Sequence, residues 1–203
     1  MTSKVLVVYC HPNPESYTHA VLEAVVAGLA ETDCDIQVLD LYADGFDPVL
    51  VVDRERRRRD LDKVAYTERH RADIAACDAL IFVYPIWWGG PPAMLKGYLD
   101  RTFVSGLTYT FEGRPKTAIL PRGLMRGKEA HFFYTLDSPW IVAWIDPGWL
   151  ALYFTTFRYC GFGPVRRYYL ARLKLTTDAQ RKRWLDQVRS RATAIGTRLT
   201  APR

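Results

Sequence analysis

The segment Tyr84 to Phe103 (YPIWWGGPPAMLKGYLDRTF) follows directly on the apolar run Ala79 to Val83 (ALIFV). A short continuous apolar run bounded by a turn signal reads as a strand buried on both faces. Pro85 ends it, two Trp, two Gly and two Pro come next, and a helical pattern opens near Ala93. Strand, loop and helix in that order make the unit of an α/β protein, whose ligands bind in loops at the carboxyl ends of strands. This loop sets large aromatic faces beside glycines that let backbone approach a bound ring. The combination suits a flat aromatic cofactor, not a metal or a sugar.

The same alternation runs along the chain. Lys4 to Tyr9 reads as a buried strand, and Tyr17 to Ala30 as a helix with Val21, Leu22, Val25, Val26 and Leu29 on one face. Ile36 to Asp40 is a second strand, Leu41 to Asp53 a loop broken by Gly45 and Pro48, and Asp60 to Ala76 a helix of mixed charge. The third strand, Ala79 to Tyr84, leads into a helix over Ala93 to Phe103. Ser105 to Lys116 is a loop with a short extended piece at Thr108 to Phe111. Glu129 to Thr135 and Val165 to Ala171 are the fourth and fifth strands. Pro147 to Cys160 is helical between them, since Pro147 suits a first turn and Gly161 an exit. Thr177 and Gln180 have capping-box spacing and open a last helix carrying Trp184, Leu185, Val188, Ala192, Ile195 and Leu199. This pattern predicts a flavodoxin-like α/β fold, a parallel sheet of order 2-1-3-4-5 with helices on both faces. At 203 residues, a single domain over 1–203 is expected.

Charge and cysteine usage narrow the function. The net charge of +6 concentrates in Arg54 to Arg59 and in the last helix. A basic surface could attract a phosphate-bearing cofactor or nucleic acid, or simply be a solvated face. No recognition-helix, RNP or zinc-finger pattern accompanies it, so nucleic-acid binding is not expected. Cys10, Cys34, Cys77 and Cys160 form no CxxC pair, which argues for buried thiols over a metal site or a disulfide framework. The apolar run at the start is too short for a signal peptide and no run reaches membrane length. A cytoplasmic protein without an integral membrane segment is expected.

The first loop, Cys10 to Thr18 (CHPNPESYT), is neither GxGxxG nor a P-loop. It offers the Ser16 and Thr18 hydroxyls where the first helix begins, beside unpaired amides at the positive end of a helix dipole. A phosphate could be held there. Ser16 could equally be a plain N-cap, and His11 could reach the phosphate or pack beneath the loop.

Together these loops resemble the NAD(P)H:quinone oxidoreductase family, also called flavodoxin-2. HPNPESYTHA (His11 to Ala20), DLYADGFDPVL (Asp40 to Leu50) and YPIWWGGPPAMLKGYLDRTF carry the likeness, and RRRRDLDKVA (Arg56 to Ala65) resembles its bacterial modulator of drug activity B branch. The likeness weakens after Lys116. It implies FAD, or alternatively FMN, with NAD(P)H as electron donor. His11, Ser16, Tyr17, Thr18 and Ala20 match positions at the cofactor's phosphates and adjoining groups. Pro85, Ile86, Trp87, Trp88 and Gly89 match the loop along the isoalloxazine ring, with Trp88 and Gly90 toward the substrate. Of the two tryptophans, one is expected to face the core and Trp88 to line the pocket. Members are usually homodimers, and Tyr109 and Phe111 match aromatics that line the partner subunit's pocket.

The third loop departs from the family pattern. Where many members have Thr-Thr-Gly-Gly, this chain has Thr135-Leu136-Asp137-Ser138-Pro139-Trp140. Thr135, Leu136 and Asp137 are the candidates to meet the cofactor there. The Tyr and His that assist hydride transfer in mammalian members have no clear counterparts. Trp140, Trp144 and Trp149 either reshape the substrate pocket, Trp140 foremost, or serve the core and interface. The resemblance implies ping-pong hydride transfer through flavin N5 to a quinone or other flat acceptor. A same-fold azo-, nitro- or biosynthetic-quinone reductase, or a non-catalytic flavoprotein, is the alternative.

Overall fold

The computed structural model describes residues 2–55 and 57–201, without the side chains of Trp140 and Ala143. Its main sheet has the strands β1 (Lys4–Tyr9), β2 (Asp35–Asp40), β3 (Ala79–Pro85), β6 (Glu129–Thr135) and β7 (Val165–Leu170), in the order β2-β1-β3-β6-β7. Every neighbouring pair is parallel. Read along the main-sheet strands alone, this is the 2-1-3-4-5 order of a flavodoxin-like fold. Two short strands, β4 (Tyr109–Thr110) and β5 (Arg122–Gly123), form a separate antiparallel ribbon.

The central strands β3 and β6 are buried at every position; β3 is an unbroken apolar run, and β6 buries Glu129, His131 and Thr135 along with its apolar residues. Alternation divides their side chains between two cores. On one face Val7, Ile81, Val83 and Phe133 pack against α1 (Tyr17–Leu29) and α6 (Asp178–Thr200). On the other, Leu80, Phe82 and Phe132 meet Leu95 and Leu99 of α3 (Ala93–Thr102), with Phe157 and Phe162. Phe157 is fully buried, with rings of Phe82, Phe103, Phe132 and Phe162 at 4.8–5.4 Å. Burying one such side chain contributes about 1.5–3 kcal/mol.

Thr177 caps α6 by accepting from the Gln180 amide at 3.3 Å, as its spacing predicts. The expected helix over Asp60 to Ala76 is shorter. Two 3-10 turns, Arg58–Lys63 and Ala65–Thr67, precede α2 (Glu68–Ala76), with extended backbone at Val64. Arg71 holds these turns in place: its buried guanidinium donates to the Leu61 and Val64 carbonyls and to the Thr67 hydroxyl. The same carbonyls also accept from the Val64 and Thr67 amides at 3.3 Å, which closes the two 3-10 turns.

The helical span from Pro147 to Cys160 is present, but it opens with α5 (Pro147–Leu150) and passes through a π-helical stretch, Ala151–Arg158. It ends at Gly161, whose φ of +94° only glycine adopts freely. A further short helix, α4 (Trp140–Ile145), precedes it. Among the described residues no helix is long and apolar enough to cross a membrane.

Candidate cofactor cleft

The order reverses at β1 and β3, so the loops after β1, β3 and β6 meet at one edge of the sheet. There they enclose a cleft of about 200 Å³. His11, Ser16, Tyr17 and Thr18 line it from the first loop, Pro85, Ile86 and Trp87 from the second, and Thr135, Leu136 and Asp137 from the third. Leu173, just past β7, completes the wall. Sequence reasoning missed Leu173; only the sheet order puts the loop after β7 beside the loop after β6. Ala20 is one helical turn too deep and does not line the cleft.

The first loop winds on itself. Asn13 Oδ1 accepts from the Glu15 amide at 2.8 Å, and the Asn13 carbonyl accepts from the Ser16 amide at 3.2 Å. Ser16 is the N-cap of α1, its hydroxyl accepting from the His19 amide at 3.2 Å. The amides of Tyr17 and Thr18, in the first helical turn, have no intrahelical acceptor. The Thr18 hydroxyl lies 2.9 Å from that of Thr135 and joins α1 to β6, so the backbone of Thr18, not its side chain, is open to an anion. The Tyr17 hydroxyl donates to the Arg181 carbonyl at 2.8 Å, and burial pushes its pKa up to about 12. Burial lowers the pKa of His11. His11 Nδ1 lies 3.0 Å from the Asn13 amide and 3.1 Å from the Asn13 carbonyl, so the loop holds that nitrogen in either tautomer.

The second loop is a tight turn. The Trp87 amide donates to the Gly90 carbonyl at 3.0 Å and the Gly90 amide to the Trp87 carbonyl at 3.1 Å. Trp88 has φ +50° and Gly89 φ +74°, the left-handed pair of a type I′ turn. A bulky residue there costs about 1–2 kcal/mol. Neither tryptophan faces the core: Trp87 is 43% exposed, lines the cleft and meets His11 edge-on at 5.9 Å, and Trp88 is fully exposed. A left-handed i+1 position turns the Trp88 side chain outward, contrary to the expectation that it lines the cleft. Gly90 has neither a positive φ nor a neighbour within 4 Å of a Cβ built on it. Nothing within the chain requires glycine there.

In the third loop the Ile86 amide donates to the Thr135 carbonyl at 2.8 Å, and Asp137 pairs with Lys174 at 3.0 Å. Gly148 of α5 packs on the tryptophan turn; a Cβ on it would stand 2.4 Å from the Gly89 carbonyl oxygen. Tyr109 and Phe111 do not reach the cleft. They meet edge-on at 6.3 Å, and Tyr109 lines a second cavity of about 330 Å³ with Phe103, Leu152 and Tyr159. Tyr109 belongs to β4 and Phe111 follows it; neither is among the residues that line the cleft. Trp144 is 71% exposed and Trp149 is buried, while the side chain of Trp140 lies outside the described residues. Among the described residues no three His, Cys, Asp or Glu are grouped to hold a metal.

The sequence profile of a family described by its flavodoxin-like fold matches residues 3–195. The chain belongs to this flavodoxin-2 family. The flavodoxin-2 protein is similar to Smu.1420 of Streptococcus mutans UA159, with a TM-score of 0.87 and 34% identity over 94% of this chain and 99% of that one. An Escherichia coli K12 protein named uncharacterized NAD(P)H oxidoreductase YcaK is 34% identical over 110 residues, 53% of this chain and 56% of its own. NAD(P)H dehydrogenase (quinone) 1 of Cavia porcellus is 31% identical over 144 residues, 63% of this chain and 50% of its own. The match thus spans about half the length of both curated relatives.

The residues fit a flavin. Tyr17 and Thr18, whose amides are unpaired, line the cleft and Trp87 offers it an aromatic wall, while Gly89 and Gly90 sit on the turn outside its lining.

Proposed function

We propose that this flavodoxin-2 protein is a flavin-dependent NAD(P)H:quinone-type oxidoreductase. The observation that carries the reading is the meeting of the loops after β1, β3 and β6 in one cleft, with unpaired amides at Tyr17 and Thr18 and the indole of Trp87 along its wall. Bound flavin would supply the redox chemistry, relaying a hydride equivalent from NAD(P)H to a quinone or other flat acceptor that follows it on the same face, which predicts ping-pong kinetics. Following the bacterial-branch resemblance, we take the flavin as FAD. The Tyr17 and Thr18 amides would hold phosphoryl oxygens at the positive end of α1, with the His11 ring beside them. The Trp88 and Gly89 amides, which the turn leaves unbonded, would hydrogen-bond the ring edge and favour negative charge on it.

At about 200 Å³ the cleft is smaller than the roughly 300–1,000 Å³ of a closed ligand pocket. A second copy of the chain would complete it. Exposed apolar side chains support this: Ile141, Val142, Trp144 and Ile145 on α4, with Phe154 and Trp88. In such a homodimer Tyr109 and Phe111 would line the partner's substrate pocket. The same reading takes 1–203 as one domain. Four free cysteines fit a reducing, cytoplasmic compartment.

The test is spectroscopic. The purified protein should bind FAD or FMN and be bleached anaerobically by NADH or NADPH, and chromatography of the released cofactor identifies it. Protein that takes up neither flavin contradicts the reading. Flavin that binds but resists both nicotinamides removes the reductase and leaves a flavoprotein.

A further inference from the structure

Behind the tryptophan turn stands a buried polar cluster that the proposed redox chemistry does not use. Asp146, between α4 and α5, is 5% exposed. Its Oδ2 accepts from the Tyr134 hydroxyl at 2.9 Å and its Oδ1 from the Trp149 amide at 2.9 Å. Arg167 Nη1 lies 3.6 Å from Asp146 Oδ2 and donates to the Tyr134 hydroxyl at 3.1 Å. Arg167 Nη2 donates to the Trp144 carbonyl at 3.2 Å, and the guanidinium covers the rings of Trp149 and Tyr169 at 5.4 and 5.5 Å. Burial, reinforced by the Asp146 charge, raises the Tyr134 pKa and keeps that hydroxyl a donor.

The cluster joins two parts of the molecule that the sequence separates. Tyr134 and Arg167 belong to β6 and β7, inside the sheet. Trp144 and Trp149 belong to α4 and α5. One residue before Trp149, Gly148 lies against the turn, where a Cβ would stand 2.4 Å from the Gly89 oxygen and 3.0 Å from the Gly90 Cα. A buried carboxylate held by an arginine and two further donors is fixed in place, because withdrawing any partner leaves charge uncompensated. A turn with Trp88 in the left-handed region needs such support from its surroundings.

We propose that Asp146 is a positioning residue that, through Gly148, holds the Trp87–Gly90 turn in its left-handed form. It thereby sets the amides of Trp88 and Gly89 and the outward indole of Trp88 that an acceptor would meet. The part that concerns the acceptor rests on the flavin reading; the part that concerns the turn does not.

The experiment uses the full-length protein without flavin, labelled with ¹⁵N-tryptophan, with the Trp88 amide and indole signals assigned by Trp88→Phe. Gly148→Ala should shift or broaden both Trp88 signals while the indole of Trp184, on α6, stays in place. Asp146→Asn should move the same Trp88 signals. If Asp146→Asn fails to fold, seen as collapse of the Trp184 signal, Tyr134→Phe, which removes one donor from the same carboxylate, should move the Trp88 signals instead. Trp88 signals unmoved by folded Asp146→Asn, or by Tyr134→Phe in its place, overturn the proposal.

With flavin bound, Gly148→Ala should raise KM for duroquinone about tenfold, a loss of roughly 1.4 kcal/mol, with a smaller change in kcat. An unchanged KM overturns the acceptor part. If wild type takes up no flavin, the functional reading fails while the Trp88 signals still judge the turn.

Discussion

The hydroxyls of Thr18 and Thr135 lie 2.9 Å apart in a buried contact that ties the first turn of α1 to the end of β6. Two loops of the cleft are thereby locked together by a pair 117 residues apart in sequence. Replacing either by Val leaves the other hydroxyl buried without its partner, which costs about 1–3 kcal/mol. Thr18→Val with Thr135→Val removes both polar groups in nearly the same shape and should lie within about 1 kcal/mol of wild type. Urea unfolding of the two single variants and the double one measures this. Strictly additive losses would show that the pair does not couple.

Gly90 separates fold from function. A Cβ there meets nothing in the protein, so Gly90→Ala should change stability by less than about 0.5 kcal/mol. Flavin affinity should fall at least tenfold, read by quenching of flavin fluorescence on titration. Trp88→Gly should instead raise stability by about 1–2 kcal/mol by relieving its left-handed backbone.

Acid should unfold the protein in two stages. Burial lowers the pKa of His11, His70 and His131 below the ordinary 6.5. A lowered histidine contributes stability above 6.5 that fades as pH falls through it. Burial opposes the Glu129 carboxylate, but hydrogen bonds from His131 and Arg198 outweigh it and hold its pKa at about 2. Its contribution persists until pH drops below the ordinary 4.5 and disappears toward 2. Thermal melts across pH should fall below pH 6.5 and again below 4.5. Arg198→Leu should move the acid transition upward.

Phe157 sits among four aromatic rings and is fully buried. Phe157→Ala should cost about 3–5 kcal/mol in chemical unfolding. A loss below about 1 kcal/mol would mean that the π-helical stretch is not part of the core.

What was legible in the sequence follows from what local physics decides. β3 is sandwiched and apolar throughout, so it announces itself, while β6 shows its aromatic run Phe132 to Tyr134 between the buried polar residues Glu129, His131 and Thr135. Ser16 and Thr177 cap helices by contacts three residues away. The ten cleft residues foreseen come from loops at strand ends, where the α/β unit places ligands. The rest depends on partners far away in sequence. Arg71 gathers the Leu61 and Val64 carbonyls under two 3-10 turns, where composition suggests a continuous helix. Trp88 reads as core or pocket, but the sign of its φ turns it outward. Leu173 joins the cleft because β7 neighbours β6, a fact of topology that no spacing encodes.

The most direct measurement is a crystal structure of the protein reconstituted with flavin. The ring should lie along Pro85 to Trp87 with its edge toward Gly90, and the phosphoryl groups should meet the Tyr17 and Thr18 amides. A flavin bound elsewhere, or a cleft closed by the chain's own side chains, would contradict the account.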